Sequence, residues 1–590
     1  MPLDFCLCLL LFPLVTFGLA WPLAGRLALD PAEKLCATAV LSLLGAYLLA
    51  FAIYLLGLPA TAFWALPVLA SAGLVAGRRT LRGTLADLDV RGMLMGLVLG
   101  ALWCVGWLTL VVSYSGGGWA SDWYEHWERT RFFLERWPVG TKFLGVYQLP
   151  ARPPLANLVT GALLGPTGAT FAGYQLVTTL LNCLAFLPAA LLARRFHLRQ
   201  SSDEPVGGGR AAIAVLTVLL MLNPSFMENA TFAWTKLIAA FFTLSGVYFF
   251  LRAHDSVAPP AAAPLCAASL AAGILAHYSA GPYVVLLAVA WFGLGRTRWR
   301  EPAFWRRTAL AGLVGAAILA TWFGWSFVEY GLSPTLASNS STAVQPAWRD
   351  HQLLKIGLNL RDTLVPHFLR TVDPALIAQR SPWGYLRDWL FQLYQVNLLF
   401  VFGSVAWLAL LVRLTRDGRT ALPRQRGFWG LLAGGAILLG VGVHGARDTW
   451  GLAHICLQTL VVLGLAYLAA RWPVLGRGWR ITLLAGAALD LILGIALQFA
   501  VQNYALDRWL APHEPPLDLL QSYSEPALMN LGGKLVHHVE FLSDVLPVPG
   551  VVVSGFLACI LALALGRAAR AARPEALAVK IASPTPPSSP

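Results

Sequence analysis

The sequence predicts an all-α protein that crosses a membrane many times. Of its 590 residues, 57% are hydrophobic and 12% are charged, and the mean hydropathy is +0.64. Soluble domains carry about 25% charged residues, so a water-soluble fold is not predicted. Many apolar runs have the roughly 17–25 residues that a membrane-spanning helix needs, and helices satisfy every backbone polar group inside lipid. The predicted architecture is therefore a bundle of membrane helices.

About fifteen apolar runs are candidate membrane spans, and several of them are short. The first run carries Asp4, lacks a basic start and shows no persuasive cleavage site, so it is interpreted as a membrane helix rather than a signal peptide. The runs lie near 3–20, 35–57, 62–77, 92–114, 168–193, 211–224, 237–252, 263–277, 282–295, 309–327, 389–412, 428–444, 452–470, 481–501 and 549–566.

The loops between these runs form two groups that differ in basic residues. The first group holds most of the 43 Lys and Arg residues, so the positive-inside rule places it in the cytoplasm together with a disordered tail over 574–590. Because these arginines orient helices, the net charge of +14 does not predict nucleic-acid binding. The first group comprises loops 21–34, 78–91, 194–210, 252–262, 296–308, 413–427, 471–480 and 567–590, and the outer group comprises 115–155, 225–236, 328–388, 445–450 and 502–548.

The first large outer loop, 115–155, contains a predicted amphipathic helix. Ser121 is a suitable N-cap, and no Gly or Pro follows until after Trp137. At 100° per residue one face holds polar residues and the other is mainly apolar, so the helix is predicted to lie at the membrane surface with its tryptophans at head-group depth. The polar face holds Asp122, Glu125, His126, Arg129 and Arg136, and the opposite face holds Trp123, Trp127, Thr130 and Leu134.

Two interpretations of the polar face remain open. The charges either form a solvated face with pairs such as Glu125 and Arg129, or contribute to a site. Asp122 stands at the start of the helix after a run of glycines. A carboxylate there is either a partner of the helix dipole or a general base directed across the loop.

This loop resembles that of the GT-C glycosyltransferases, especially the protein O-mannosyltransferases and the bacterial transferases that add aminoarabinose to lipid A. The resemblance rests on Asp122 opening a helix after a membrane span, about thirty residues before Arg152-Pro153-Pro154-Leu155. It implies that Asp122 is the catalytic base and that Arg152 contacts the donor phosphate. Arginine suits that role because its fork binds phosphate bidentately.

The resemblance continues over residues 92–327 but departs from the family at one acidic position. Asn223-Pro224-Ser225-Phe226 looks like the start of the family's second outer loop, which carries an acid close to where Lys236 stands here. The nearest acid is Glu228.

A second departure concerns a lysine of the family. The stretch ending Ala280-Gly281-Pro282 resembles one that reads Lys-Gly-Pro, with His277 and Tyr278 close by. We infer that Lys236 supplies the phosphate-binding cation that Ala280 cannot, because an ionisable group at this depth is costly unless it has a partner. The alternative is that Lys236 extends its ammonium group to the outer interface.

The predicted division of the chain has five parts. Residues 1–91 form three N-terminal membrane helices, and 92–327 form the GT-C-like catalytic module with outer loop 115–155. An outer loop over 328–388 is followed by C-terminal membrane helices over 389–573 with outer loop 502–548, and by the tail over 574–590.

The resemblance implies an inverting glycosyltransferase of the bacterial inner membrane that moves a hexosyl or pentosyl group from a polyprenyl-phosphate donor to an extracytoplasmic lipid, glycan or protein acceptor. Its partners would be the donor, the acceptor and membrane lipids. No residue is assigned to a metal, and the involvement of a divalent metal stays open. The further candidate substrate contacts are Glu125, His126, Glu228, His277 and Tyr278.

Two other functional classes remain as alternatives. A lipid or glycan transporter or flippase is favoured by the many spans, although few charges lie within the apolar runs, Asp490 being the main one. A polysaccharide polymerase or ligase shares the substrate class, and the late outer loop 502–548 keeps that interpretation open.

The predicted orientation is tested by cysteine labelling from outside the cell. We expect a membrane-impermeant maleimide to label cysteines that replace Gly117 and Ser340 but not those that replace Arg199 and Arg419. Labelling with the opposite sidedness would place Asp122 in the cytoplasm and contradict the predicted outer site.

Overall fold

The predicted helical membrane bundle is confirmed. The structure is a computed structural model that describes residues 2–112, 114, 122–145, 147–198, 208–338, 353–354, 356–357, 426–443, 454–492 and 539–571. Throughout these residues the regular structure is helical, and the only strand-like pairing among them is an isolated bridge between Phe143 and Tyr147.

Twenty-two α-helices occur in the described part, numbered here in chain order. They are α1 (Pro2–Gly18), α2 (Trp21–Ala24), α3 (Pro31–Leu55), α4 (Ala65–Ala76), α5 (Arg78–Ala86), α6 (Leu88–Leu108), α7 (Asp122–Glu135), α8 (Leu155–Leu164), α9 (Phe171–Cys183), α10 (Phe186–Leu198), α11 (Gly208–Met221), α12 (Pro224–Thr231), α13 (Lys236–Ala253), α14 (Ala262–Ala276), α15 (Gly281–Gly295), α16 (Pro302–Tyr330), α17 (Leu332–Ala337), α18 (Arg426–Val443), α19 (His454–Arg471), α20 (Arg477–Asp490), α21 (Leu542–Val545) and α22 (Gly550–Ala571).

The described residues contain fewer helices that can cross a membrane than the fifteen predicted, so that count is not confirmed. Within the described residues, eight are long and apolar enough, or up to ten when two bent pairs are each counted as one span. One bend, of 70°, lies between α11 and α12, where Asn223 caps the new helix and Pro224 begins it. Other apolar runs, such as α14, form helices too short to span alone. The predicted run 389–412 lies outside the described residues.

One continuous apolar core extends from α1 to α22. Helix α13 packs against α14, which packs against α16, while α11 packs against α6, α10 and α22. Helix α7 is not one of the membrane spans and packs against α8. Helix α8 therefore connects α7 to the apolar core.

Four loops of the group predicted to be cytoplasmic meet at one end of the bundle, because ion pairs join them. Arg194 and Arg195 of α10 bind carboxylates next to α3, α6 and α13, and buried Glu33 of α3 also accepts a hydrogen bond from Tyr248. The pairs are Arg194–Asp30 (2.9 Å), Arg194–Asp89 (2.9 Å), Arg195–Asp255 (2.6 Å) and Arg252–Glu33 (2.7 Å).

Segments of the predicted outer group meet near α7. The Tyr330 hydroxyl at the end of α16 donates to the carbonyl oxygen of Val139 at 2.8 Å, which joins loop 328–388 to loop 115–155. Most of 328–388 and 502–548 lies outside the described residues. The division of the chain into five parts stays a prediction.

Candidate active site

Helix α7 begins at Asp122, and the central residues of both its polar and its apolar face are buried in protein. Trp123 packs against Phe171 with ring centroids 4.8 Å apart, and Trp127 packs against Tyr174 at 5.2 Å. The tryptophans therefore contact protein, and the interpretation of a solvated face does not hold for Glu125, His126 and Arg129, which are buried. Arg136 of the same face is exposed, and the depth of the tryptophans in the membrane stays a prediction. An amphipathic pattern also fits a helix whose polar face meets polar partners inside the protein.

Arg152 lies between two carboxylates of α7. Its Nη2 atom is 3.2 Å from Asp122 Oδ1 and 3.2 Å from Glu125 Oε2, and its Nε donates to Glu125 Oε2 at 3.3 Å. The Arg152 side chain is 16% exposed and that of Glu125 is 0% exposed. The structure thus brings together the two residues, thirty positions apart, for which the sequence predicts base and phosphate-binding roles.

Arg129 holds the segment before Arg152 in place. It forms a fully buried ion pair with Glu125 at 2.7 Å and donates to the carbonyl oxygens of Leu149 and Gln148 at 2.6 and 3.0 Å. Sequence analysis placed Arg129 on the polar face without a role beyond pairing with Glu125. Its sequence signal was the Glu-Arg spacing of four residues on one helix.

Trp234 connects Asp122 to Lys236, and sequence analysis missed it. The Trp234 Nε1 atom donates to Asp122 Oδ2 at 3.2 Å, and Lys236 Nζ lies 3.4 Å from the centroid of the Trp234 ring system. The preceding residue, Ala233, has φ 62°, a left-handed conformation that costs an alanine roughly 1–2 kcal/mol. Strained backbone therefore positions this tryptophan between α12 and α13.

Lys236 is a buried cation. Its side chain is at the start of α13, the residue is 3% exposed, and Nζ has no hydrogen-bond partner in the part of the chain that the structure describes. A cation over a tryptophan ring gains about 0.5–2 kcal/mol, which is less than the several kcal/mol that its burial costs. Asp122 attracts Lys236 electrostatically, but no hydrogen bond to Nζ within the described residues compensates its burial.

Burial and the arginines set the protonation states along α7. Burial raises the pKa of Asp122 above its ordinary value of 3.8, and Arg152 only partly offsets that rise. Burial also acts to raise the pKa of Glu125, but Arg152 and Arg129 outweigh it and lower that pKa to about 2. Burial, reinforced by Arg152, lowers the pKa of His126 to about 3, so its ring is neutral at pH 7.

The formal charges of this cluster do not cancel. Among the described residues of this cluster, two carboxylates, Asp122 and Glu125, face three cations, Arg129, Arg152 and Lys236, which leaves one positive charge. A monoanion bound between Arg152 and Lys236 would neutralise the cluster.

The remaining predicted residues lie around this cluster. The Tyr278 hydroxyl donates to the carbonyl oxygen of Pro150 at 3.2 Å, two residues before Arg152. His277 Nδ1 accepts from the Ser279 backbone N–H at 3.0 Å and so caps a short helix. Glu228 is buried on α12, and its carbonyl oxygen accepts from Phe232. His126 hydrogen-bonds to the Asn157 side chain.

Among the described residues, no group of three or more His, Cys, Asp or Glu side chains is arranged to hold a metal ion. The two carboxylates of the cluster, Asp122 and Glu125, are both bound to Arg152. The structure does not test whether a divalent metal takes part, and that question stays open.

Comparison with known proteins finds similarity in solved structures only. No family model and no curated protein matches the sequence. The crystal structure of ArnT from Cupriavidus metallidurans bound to undecaprenyl phosphate is similar at 15% identity over 82% of this chain and 76% of that chain, with a TM-score of 0.45. Its apo state is similar at 16% identity over 81% and 75%, with a TM-score of 0.44. The function of this chain therefore has to be inferred from the chemistry of its own residues.

Because Lys236 Nζ is buried without a hydrogen-bond partner in the described residues, we expect that replacing Lys236 stabilises the protein. We expect Lys236→Met to raise the free energy of unfolding by about 1 kcal/mol, because a buried charge without a hydrogen-bond partner is replaced by an apolar chain of similar length. Thermal unfolding of the purified protein in detergent, without added lipid phosphate, measures this. Lys34→Met, at a half-buried lysine, is the control and should not stabilise the protein. A lower unfolding temperature for Lys236→Met would mean that the ammonium group has a structural partner.

Proposed function

We propose that the protein is a membrane glycosyltransferase that moves a sugar from a polyprenyl-phosphate donor to an acceptor hydroxyl with inversion. One observation supports this proposal most strongly. Asp122, a carboxylate with a raised pKa, lies close to Arg152 and Lys236, two cations that can bind a phosphate. A base and a phosphate-binding pair are the two components that this reaction requires.

The location of the two cations suits a phosphate carried by a lipid. Lys236 is the first residue of a membrane-spanning helix, and Arg152 stands three residues before α8. Both cations therefore lie at helix starts, at the border of the apolar bundle. A donor whose tail remains in the bilayer could place its phosphate there without leaving the membrane.

The charges of the proposed reaction balance within the cluster. The acceptor oxygen attacks the anomeric carbon, its proton passes to Asp122, and the bond between that carbon and the phosphate oxygen breaks. The phosphodiester monoanion becomes a phosphomonoester dianion while the Asp122 carboxylate becomes neutral. The total charge of the site stays constant, so little reorganisation of the surroundings is required.

Arg152 couples the two halves of this reaction. In the structure it shares its guanidinium group between Asp122 and Glu125. When Asp122 takes up the proton, its attraction for Arg152 falls, and Arg152 can bind the extra negative charge on the leaving phosphate. Glu125, whose pKa is about 2, stays ionised and keeps Arg152 in position.

The proposal extends to the surroundings of the cluster. Tyr278, His277, His126 and Glu228 are candidate contacts of the sugar or the acceptor. The predicted orientation places the reaction on the extracytoplasmic side of a bacterial inner membrane. The assay described next determines whether the transferred sugar is a hexosyl or a pentosyl group.

A purified-protein assay tests the reaction class. We expect transfer of label from a polyprenyl-phosphate sugar to membrane lipid, glycan or protein acceptors, with release of polyprenyl phosphate. A panel of donors with different sugars is combined with a bacterial envelope extract as the acceptor source. Movement of the intact lipid-linked sugar between leaflets without cleavage of its sugar–phosphate bond would instead identify a flippase.

The Asp122→Asn variant tests whether Asp122 acts as a general base or only begins the helix. Asparagine is as good a helix start as aspartate but cannot accept the proton, so we expect turnover to fall by a factor of about 10²–10⁴ while donor binding remains. Glu135→Gln, at a half-exposed carboxylate on the same helix, is the matched control and should stay near wild type. Normal turnover by a folded Asp122→Asn protein would remove Asp122 from the chemistry.

Arg152→Lys tests the phosphate contact. Lysine keeps the charge but loses the two-pronged hydrogen bonding, so we expect donor binding to weaken by roughly 1–3 kcal/mol. Titration with a non-transferable polyprenyl-phosphate analogue measures the affinity. Arg131→Lys, at a half-exposed arginine of α7, serves as the control. Equal donor affinities for wild type and Arg152→Ala would show that Arg152 only starts the following helix.

The raised pKa of Asp122 predicts the acid side of the pH profile. The base works only when deprotonated, so kcat/KM should fall as the pH drops through a pKa above 3.8. Trp234→Phe removes a hydrogen bond that favours the charged carboxylate, and we expect the acid limb to move to higher pH. Trp291→Phe, which removes an indole donor distant from Asp122, is the control. An acid limb that does not move in Trp234→Phe would contradict the assignment.

A further inference from the structure

A cleft with an apolar floor and two arginines in its wall lies at the end of the bundle remote from Asp122. Helix α13 starts at Lys236 and runs for 18 residues, about 27 Å, before it ends at Ala253 beside this cleft. The cleft lies between the turn that joins α13 to α14 and the turn that joins α15 to α16. Its walls include His254, Trp291, Phe304, Arg298 and Arg307.

The rim of the cleft is strongly basic. Residues 296–307 contain five arginines and one acidic residue, Glu301. Glu301 accepts from Arg298 Nε at 3.3 Å, but both side chains are well exposed, and such pairs contribute only about 0–1 kcal/mol. No hydrogen bond or ion pair to Arg307 is found in the described ranges. Asp255, on the other side of the cleft, is already bound by Arg195 and Arg252.

Two tryptophans place this rim at the membrane–water interface. Trp299 is 48% exposed and Trp305 is 49% exposed. Their indole N–H groups donate within the protein, to the carbonyl oxygens of Phe292 and Trp299 respectively. Their exposed surface is therefore mainly ring, which prefers the depth of lipid head groups. We therefore expect the arginines beside them at the depth of lipid phosphates.

An apolar stripe runs along α15 on the same side of the bundle. It consists of Val285, Val289 and Phe292, which recur at helical spacing and are 53%, 58% and 37% exposed. Leu310 and Leu313 of α16 are also exposed, by 49% and 68%. A ligand with an anionic head in the cleft could lay an acyl tail on these side chains.

We propose that this cleft binds the phosphate of an anionic glycerophospholipid, with Arg298 and Arg307 as its ligands and the stripe Val285–Val289–Phe292 as the contact for an acyl chain. A basic cavity between membrane helices, at head-group depth, is the chemistry that recognises such lipids. A free phosphate would use the arginines but not the stripe. The site is separate from the proposed transferase centre and does not depend on it.

The test compares two double variants that lose the same charge from the same turn. Arg298→Gln with Arg307→Gln removes the cations that line the cleft, whereas Arg300→Gln with Arg306→Gln removes neighbours that do not. The full chain is placed in phosphatidylcholine nanodiscs that contain a small fraction of spin-labelled phosphatidylglycerol, and immobilised lipid is measured. We expect the first variant to retain the labelled lipid about tenfold less well than the second, because general attraction to the surface falls equally in both.

Three results would overturn the proposal. Equal retention by the two double variants would mean that only diffuse charge attracts the lipid. Equal immobilisation of labelled phosphatidylcholine in the wild type would show that the phosphate charge is not recognised. Displacement of the labelled lipid by inorganic phosphate alone would identify a soluble anion as the ligand.

A second pair of double variants provides the test if the first glutamine variant does not fold. If the first glutamine variant does not fold, Arg298→Lys with Arg307→Lys is compared with Arg300→Lys with Arg306→Lys. These keep the charge and remove the arginine fork only, so weaker retention by the first lysine pair supports the cleft. Equal retention by the two lysine pairs overturns it.

Discussion

The bond between Arg152 and its two carboxylates is the interaction on which the site depends. A guanidinium group shared between Asp122 and Glu125 ties the segment before α8 to the start of α7. Glu125 can hold Arg152 because Arg129 supports it from the other side. Buried ion pairs of this kind are poor sources of stability, since desolvation offsets most of their attraction. Their value here is in fixing the position of a base and a cation relative to each other.

Three features close to this ion pair lower the stability of the folded protein. Lys236 Nζ is buried without a hydrogen-bond partner in the described part of the chain, Ala233 adopts a left-handed backbone, and burial raises the pKa of Asp122. Each feature disfavours the free protein, and in the proposed reaction a phosphate monoanion would pair with Lys236 and Asp122 would take up the acceptor proton. A structural charge network has no such requirement for a missing anion, which is why this cluster is interpreted as a reaction centre.

The membrane fold and the start of α7 could be predicted because they are local. Apolar run length and one helix-start residue determine them, and the resemblance carried by Arg152-Pro153-Pro154-Leu155 paired Asp122 with Arg152 in advance. Trp234 could not be found in this way, since it reaches Asp122 across 112 residues with no pattern in the sequence. The interpretation of a solvated face does not hold for Glu125, His126 and Arg129, because periodicity separates polar from apolar residues but does not show whether water or protein contacts the polar ones. The count of fifteen spans is not confirmed within the described residues, where one apolar run bends at Pro224.

The most direct test of the central claim is a cryo-EM structure of the protein in nanodiscs with a non-transferable polyprenyl-phosphate sugar. If Arg152 and Lys236 bind the donor phosphate and Asp122 is the base, phosphate oxygens should lie about 3 Å from the Arg152 guanidinium group and from Lys236 Nζ. The Asp122 carboxylate should then lie on the side of the anomeric carbon that is opposite the phosphate. A donor phosphate that contacts neither cation, or a sugar bound away from Asp122, would contradict the account.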